Sequence, residues 1–408
     1  MTARAEEGAE NAGRQKALPA AILSVSLVVL SANTISALMA DMRESFPHVD
    51  KVSLQSLLTV TSVTATICIL LSGALAGWLG TRRVLLCGLA VYTVAGVAPM
   101  FLSDFAAIHC SRLALGVGIG LIYPFSVSLI ADFFQDGRRA KLMGLQFSSA
   151  NIGLAAMLAA AGFLAETKLG WRASFAVYGI GAPVFLSVLL LVPEPPRERA
   201  DTRKAGPAGR YRVTAPVAVR CLLMGLYNMM FLTVFFGLAM MTREAGFGDA
   251  AGTGLSLTAM TLSSTGVAAA FGPLHARLGR WLGVLAAASV AAGFFFLRQS
   301  GNMYTVTAAL LLLGAGNAFL WPLGNTAVAD AAPQCSTTFC LALLQACLNL
   351  GAFVSPYAFG ALGRLFADSS GGFAFLACSL AMAAGTAGLL LHLILSGRAA
   401  GGADRMRQ

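Results

Sequence analysis

The chain is a succession of apolar runs about twenty residues long, and none of its 18 acidic side chains falls in the middle of one. A helix of that length spans the roughly 30 Å hydrocarbon layer of a bilayer. The runs cover 18–40, 52–79, 84–103, 106–132, 139–165 and 173–193, then 215–241, 251–275, 282–299, 303–329, 338–362 and 373–397. The first run is longer than a signal-peptide core and carries no cleavage site, so it reads as a true span. Only 11% of residues are charged and 57% are hydrophobic, whereas a soluble domain carries about 25% charged residues. The solvent that accepts so much apolar surface is lipid. The expected fold is an all-α membrane protein with twelve transmembrane helices.

Between the two sets lies EPPRERADTRKAGPAGRYR, a polar, basic, proline-bearing stretch that reads as a flexible linker. The expected divisions are a tail (1–17), a six-helix half (18–193), a linker (194–214), a second six-helix half (215–397) and a second tail (398–408). Of the 28 Lys and Arg residues, twenty lie with the tails and linker and eight on the opposite side. The excess of positive charge marks the cytoplasmic face, so both termini and the linker are expected in the cytoplasm and the chain in the inner membrane. The net charge of +10 is scattered in short groups between apolar runs. It forms no stripe that would fit a nucleic acid. The eight cysteines lie in or beside apolar runs without metal-ligand spacing, and read as small reduced hydrophobes. No metal or cofactor is expected.

The two halves repeat. GALAGWLGTRRVLL (73–86) and FGPLHARLGRWLG (271–283) share Gly73/Gly272, Leu75/Leu274, Leu79/Leu278 and Gly80/Gly279, with an offset of 199 residues. Gly116, Gly118, Pro124 and Asp132 of span 4 match Gly314, Gly316, Pro322 and Asp330 of span 10, and Asn151 and Gly153 match Asn349 and Gly351, all 198 residues later. Duplicated six-helix halves, with a binding site at the midplane between them, are a transporter plan. Small residues at the hinge stretches are expected to let helices approach closely, and the basic turns to stay at the cytoplasmic surface.

These residues resemble the major facilitator superfamily. Gly73-x-Leu75-x-x-x-x-Gly80-x-Arg82-Arg83 is similar to the family's loop 2–3 signature, and Arg112-Leu-Ala-Leu-Gly116 to its span-4 signature. Gly170-Trp171-Arg172 before span 6 and Pro193-Glu194-Pro195-Pro196 after it also fit, and the resemblance runs from about residue 18 to about residue 397. It implies two pseudo-symmetric six-helix bundles, with spans 1, 4, 7 and 10 lining a cavity. Two departures stand out. Gly77 and Ala276 occupy the place where the family's loop carries an Asp, and Met157-Leu158 replaces the Gly-Pro of its drug antiporters.

Ionisable groups in lipid are costly and ask for a reason. Arg112 lies about two turns into span 4, with His109 on the same helix face. It reads either as a cavity-facing cation for an anionic group or as a side chain snorkelling to the interface. Asp41, at the outer end of span 1, is the candidate coupling carboxylate, with His109 beside Arg112 as a modulator. Asp132 and Asp330, at inner ends, are expected to pair with Arg82/Arg83 and Arg277/Arg280. Asn33, Tyr123, Tyr227, Asn228, Trp321 and Asn325 join Arg112 as candidate substrate contacts, set against the alternative that such side chains glue helices together. Asn151 and Asn349 read as structural. The Met- and Phe-rich span 7, YNMMFLTVFFGLAMM, offers a deformable apolar wall or plain packing. The alternate glycines of span 4 are not a nucleotide loop, no GxxxxGK[ST] occurs, and no nucleophile–base pair of enzymic type is visible.

The expectation is a secondary transporter, monomeric, working by alternating access on a small organic solute, anionic or amphipathic, with protons as the candidate coupling ion. The rival is a membrane receptor or scaffold of the same fold that moves nothing. Topology is open to a direct test. In a cysteine-free background, one cysteine placed at Ala205 is expected to react with an impermeant maleimide in inside-out vesicles. Labelling in intact cells would reverse the orientation.

Overall fold

The computed structural model describes residues 17–195, 214–268, 281–332, 337–366 and 371–405, together with residues 270, 274 and 277–279. Most of the expected linker and the first tail lie outside the described residues. Among those described, ten helices are long and apolar enough to cross a membrane, or eleven with one bent pair counted as a span. The bent pair, Ala17–Ser26 with Ser31–Ser45, is α1. It is followed by α2 (Lys51–Leu79), α3 (Thr81–Met100), α4 (Phe105–Phe133), α5 (Asp136–Ala165) and α6 (Gly170–Leu191). The second series is α7 (Ala215–Glu244), α8 (Ala250–Ala268), α9 (Trp281–Gln299), α10 (Met303–Ala331), α11 (Thr337–Leu365) and α12 (Gly371–Arg405). Among the described residues each expected apolar run coincides with helix, the first broken by a turn at 27–30; residues 269, 271–273 and 275 of the eighth run lie outside them. α8 falls below the others in apolarity because Thr253, Ser256, Thr258, Thr261, Ser263, Ser264 and Thr265 crowd into its 19 residues.

The chain divides into two units, one of Met1–Tyr211 with Ala352–Val354, the other of Arg212–Gly351 with Ser355–Gln408. Each is held together in the way lipid demands. Hydrocarbon tails are as apolar as leucine, so helices associate by close packing and hydrogen bonds instead of by expelling water. In the first unit a Cβ on Gly116 would collide with the Thr61 carbonyl of α2, and one on Gly118 would lie 2.7 Å from the Tyr92 amide nitrogen of α3. A Cβ on Gly153 of α5 would collide with the Leu27 carbonyl of α1. The second unit repeats the pattern. A Cβ on Gly314 would meet the Met260 carbonyl of α8, one on Gly316 the Ala286 carbonyl of α9 at 2.8 Å, and one on Gly351 the Gly225 carbonyl of α7. Leu27 and Gly225 are themselves 198 residues apart, as are Tyr92 and Val290, the latter touching Gly316. The duplication is thus a duplication of helix contacts.

Capping and cross-helix bonds follow the same register. Asp104 caps α4 by accepting from the Ala107 amide at 3.0 Å, and Asn302, 198 residues on, caps α10 by accepting from Thr305 at 2.9 Å. Asp50 and Asp249 cap α2 and α8 through the Val52 and Gly252 amides. Asp50, Asp104 and Asp249 therefore satisfy amides that the helix leaves unbonded. Thr64 donates to the Leu113 carbonyl at 2.9 Å and Ser263 to that of Leu311 at 3.0 Å. Pro124 and Pro322 interrupt α4 and α10 at equivalent turns.

The hinge stretches behave differently from expectation. Gly80 and Gly279 both hold positive φ, +92° and +48°, the conformation that ends one helix and lets the next begin. A Cβ on Gly73 or Gly77, however, would meet no atom within 4 Å among the described residues. The close approaches sit in α4, α5, α10 and α11 instead, because the hinge glycines lie on a surface of α2 that also exposes Leu70, Leu71 and Trp78. Gly272 and Ala276 lie outside the described residues.

α1 is the irregular helix. Ser24 donates to the Ala21 carbonyl and Ser31 to that of Val28, each three residues back. Such bonds compete with the α-helical pattern. The chain turns through 48°, then runs as a 3₁₀-helix over Ser31–Leu38 before resuming as Met39–Ser45. An eight-residue 3₁₀ stretch is long for that geometry. The opening of α6, Gly170–Ile180, is also 3₁₀.

Replacing Gly153 or Gly351 with Ala should lower the melting temperature of the purified protein, reflecting about 1–3 kcal/mol of overpacking. Gly73→Ala, in open space within a helix, should leave it unchanged or raise it.

Candidate functional site

Arg112 is fully buried in the first unit, the one charged side chain so placed among the described residues. It does not snorkel. Its guanidinium lies 4.9 Å from the ring centroids of both Phe175 and Tyr178, on the 3₁₀ opening of α6. Nη1 donates to the Tyr178 hydroxyl at 3.1 Å and Nη2 to the Gly96 carbonyl of α3 at 3.4 Å. The Tyr178 hydroxyl in turn donates to the Ser31 carbonyl of α1 at 3.0 Å. Gly96 makes this possible, since a Cβ there would stand 2.5 Å from the Tyr178 side chain. Thr61 of α2 donates to the Arg112 carbonyl at 3.3 Å. One arginine therefore ties α1, α2, α3, α4 and α6 together.

Magnitudes show what this arrangement does for the fold. Each ring contributes up to about 2 kcal/mol to a desolvated cation, and each bond to a charged group about 1.5–3 kcal/mol. Desolvating the guanidinium costs several kcal/mol, which these contacts offset. No Asp or Glu is fully buried among the described residues to neutralise it. The second unit supplies an internal control. Leu310 and Phe294 stand 198 residues after Arg112 and Gly96, both fully buried, and Phe294 stacks on Phe375 at 6.3 Å. The same place in the helix bundle is thus filled by hydrocarbon alone. Packing does not require the cation.

The other residues singled out from the sequence scatter. His109 is half-buried against the Phe105 ring, 5.9 Å between centroids. Asp41 is half-buried in α1, as is Asn33 on its 3₁₀ stretch, and Tyr123 is half-buried in α4. In the second unit the Tyr227 hydroxyl donates to Asn317 Oδ1 at 2.7 Å, drawing α7 and α10 together. Tyr227, Phe231 and Phe235 form a ladder of rings along α7. Asn228 donates to the Leu348 carbonyl of α11 at 2.8 Å, which is interhelical glue, while Asn325 bonds back to the Trp321 carbonyl of its own helix at 2.9 Å. Trp321 packs beside Met224 against the core formed by Val217, Cys221 and Leu344. Asn151 bonds back to Phe147.

Where the end of α6 meets the start of α3, Glu194 takes a role that sequence reasoning missed. Its carboxylate accepts from the Arg82 amide at 3.3 and 3.4 Å, sits against Gly80, and so caps the start of α3 from the far end of α6. The Arg82 guanidinium donates to the Leu189 carbonyl. Asp132 is half-buried; Arg83, Arg277 and Asp330 are exposed, and Arg280 lies outside the described residues. Tyr178, Phe175, Gly96 and Ser31 were also missed. The Gly170-Trp171-Arg172 motif leads directly into that 3₁₀ segment, with Trp171 donating to Ser45 Oγ at 2.8 Å, and was the available signal.

Comparisons with known proteins agree with this architecture. The family model described as Major Facilitator Superfamily matches residues 21–356. The cephamycin export protein CmcT of Amycolatopsis lactamdurans is 29% identical over 226 residues, covering 55% of this chain and 43% of that protein. The 3-(3-hydroxy-phenyl)propionate transporter of Escherichia coli K12 is 31% identical over 122 residues, 30% of each chain. The chain thus spans less than half the length of these curated relatives. Among solved structures, the inward-open xylose transporter XylE from E. coli aligns with a TM-score of 0.72 and 18% identity, over 90% of this chain and 95% of that one. Helices duplicated in register, an arginine buried in one copy, and a family match across most of the chain lead to one assignment: this multi-pass membrane protein belongs to the Major Facilitator Superfamily.

Proposed function

We propose that the protein is a secondary transporter that moves a small organic solute, anionic or amphipathic, across the cytoplasmic membrane by alternating access. Both termini and the linker lie in the cytoplasm in this reading. The observation that carries it is Arg112. A desolvated cation inside a membrane bundle, where the duplicated half manages with Leu310, is retained for something other than folding. The names of two relatives, a cephamycin export protein and a 3-(3-hydroxy-phenyl)propionate transporter, support solute movement and leave its direction open.

Arg112 recognises the solute from the first unit. Asn33 and Tyr123 of the same unit, and Tyr227, Asn228, Trp321 and Asn325 of the second, are the further candidate solute contacts. Asp41 and His109 are the groups through which proton movement is coupled. Asp132 with Arg82/Arg83, and Asp330 with Arg277/Arg280, act as inner-face contacts that form and break during the cycle.

Purified protein in sealed proteoliposomes should accumulate or release at least one solute from a labelled panel of organic anions, neutral drugs and sugars under a pH gradient. Arg112→Leu should melt cooperatively, because leucine is the native occupant of the twin site, yet reduce flux at least ~10-fold, as expected for loss of one charged contact. Ligand binding without flux from any class would favour the receptor alternative.

A further inference from the structure

The break in α1 collects hydrogen-bond donors that have nothing to donate to. Ser26, Thr34 and Ser36 are buried, and among the described residues their hydroxyls have no hydrogen-bond partner; neither has Nε of Arg112. Buried polar groups are ordinarily bonded, so unpartnered donors on one short segment require an explanation. Side chains three residues apart eclipse in a 3₁₀-helix, which places Thr34 over Ser31. Ser31 is the residue whose carbonyl Tyr178 links to Arg112. Irregular backbone at membrane depth persists only where protein or a cavity surrounds it, and here Val25, Val28 and Val29 are buried around the bend.

What is missing is acceptors. An arginine nitrogen donates only, and each hydroxyl has a proton to give. The field has the same sign. Arg112 is positive, and the start of the Ser31–Ser45 helical segment presents the positive end of its dipole. One buried cation is balanced by one negative charge, which fits a carboxylate better than the near-double charge of a phosphate. The planar guanidinium also matches the two oxygens of a carboxylate.

We propose that Arg112 and Thr34 form the recognition site for the carboxylate of an organic solute, with Tyr178 as the internal stand-in for that group. In the closed arrangement the neutral tyrosine hydroxyl occupies Nη1 of Arg112 and, at the same time, fastens α6 to the α1 break. An arriving carboxylate takes the place of the hydroxyl, and releasing Tyr178 frees the Ser31 carbonyl. Binding of the anion and unlatching of α1 from α6 are then one event. No bond to carbon changes; a hydrogen bond is exchanged. This deepens the reading of Arg112 given under the proposed function and rests on it.

The test is equilibrium binding to the purified full chain in detergent, which needs no transport. Benzoate should raise the melting temperature in a dose-dependent way, while benzamide, of the same shape without charge, should not. Arg112→Leu should weaken benzoate at least ~10-fold, in line with the loss of a charge-assisted bond. Thr34→Val should weaken it to a smaller extent. Tyr178→Phe should bind benzoate more tightly than the native protein, because the competing hydroxyl is gone; a purely structural tyrosine could only weaken it. Equal responses to benzoate and benzamide, an Arg112→Leu protein that binds as before, or a Tyr178→Phe protein that binds more weakly would each overturn the proposal. If Arg112→Leu does not melt cooperatively, an unchanged affinity in Thr34→Val overturns it instead. Benzoate binding with no flux of any solute in proteoliposomes would count against the transporter reading and leave this site standing.

Discussion

Helices in a bilayer gain nothing by hiding leucine from lipid, so the bundle depends on backbones coming within contact distance. That constraint organises both units of this protein. Gly118 on Tyr92 and Gly316 beside Val290, then Gly153 on Leu27 and Gly351 on Gly225, are the same contacts made twice. Where any side chain would run into a neighbouring backbone, only glycine is compatible with the spacing. The caps at Asp104 and Asn302, and the prolines at 124 and 322, then fall into register because the helices they belong to already do.

Against that regular frame the differences between the halves carry the information. The first unit contains a broken α1, a 3₁₀ opening to α6 and a buried arginine joined to both through Tyr178. The second has stacked phenylalanines and a leucine at the corresponding place. Buried ionic clusters are often replaceable by hydrocarbon, and the second unit holds Leu310 and stacked phenylalanines at that place. Under the proposal the arginine persists because it answers to a ligand.

Much of this was legible in the residues. Run lengths locate the helices, and the glycine offset identifies the duplication before any contact is seen. Arg112 is conspicuous because charge is rare in such runs. Its partners were not legible. Tyr178 lies 66 residues away in another helix, and no spacing rule connects positions brought together only by tertiary packing. The α1 break was hidden for a related reason: SLVVLSA contains neither Pro nor Gly, and the signal was serine hydroxyls bonding back three residues. Glu194 sits in a motif that was noticed, but its work as a cap for α3 depends on the end of α6 meeting the start of α3. The hinge glycines were read as close-packing residues; among the described residues a Cβ on Gly73 or Gly77 instead meets nothing within 4 Å, since composition alone does not say which surface of a helix meets a neighbour.

The central claim is that position 112 is a place that solutes reach, whereas its twin at 310 is only packing. Single cysteines at 112 and 310, in a chain otherwise free of cysteine and reconstituted in sealed vesicles, can be exposed to a small water-soluble anionic thiosulfonate. The cysteine at 112 is expected to be modified as the protein cycles, and the one at 310 to stay unreacted over the same time. Equal protection of both, or modification at 310 alone, would contradict the claim.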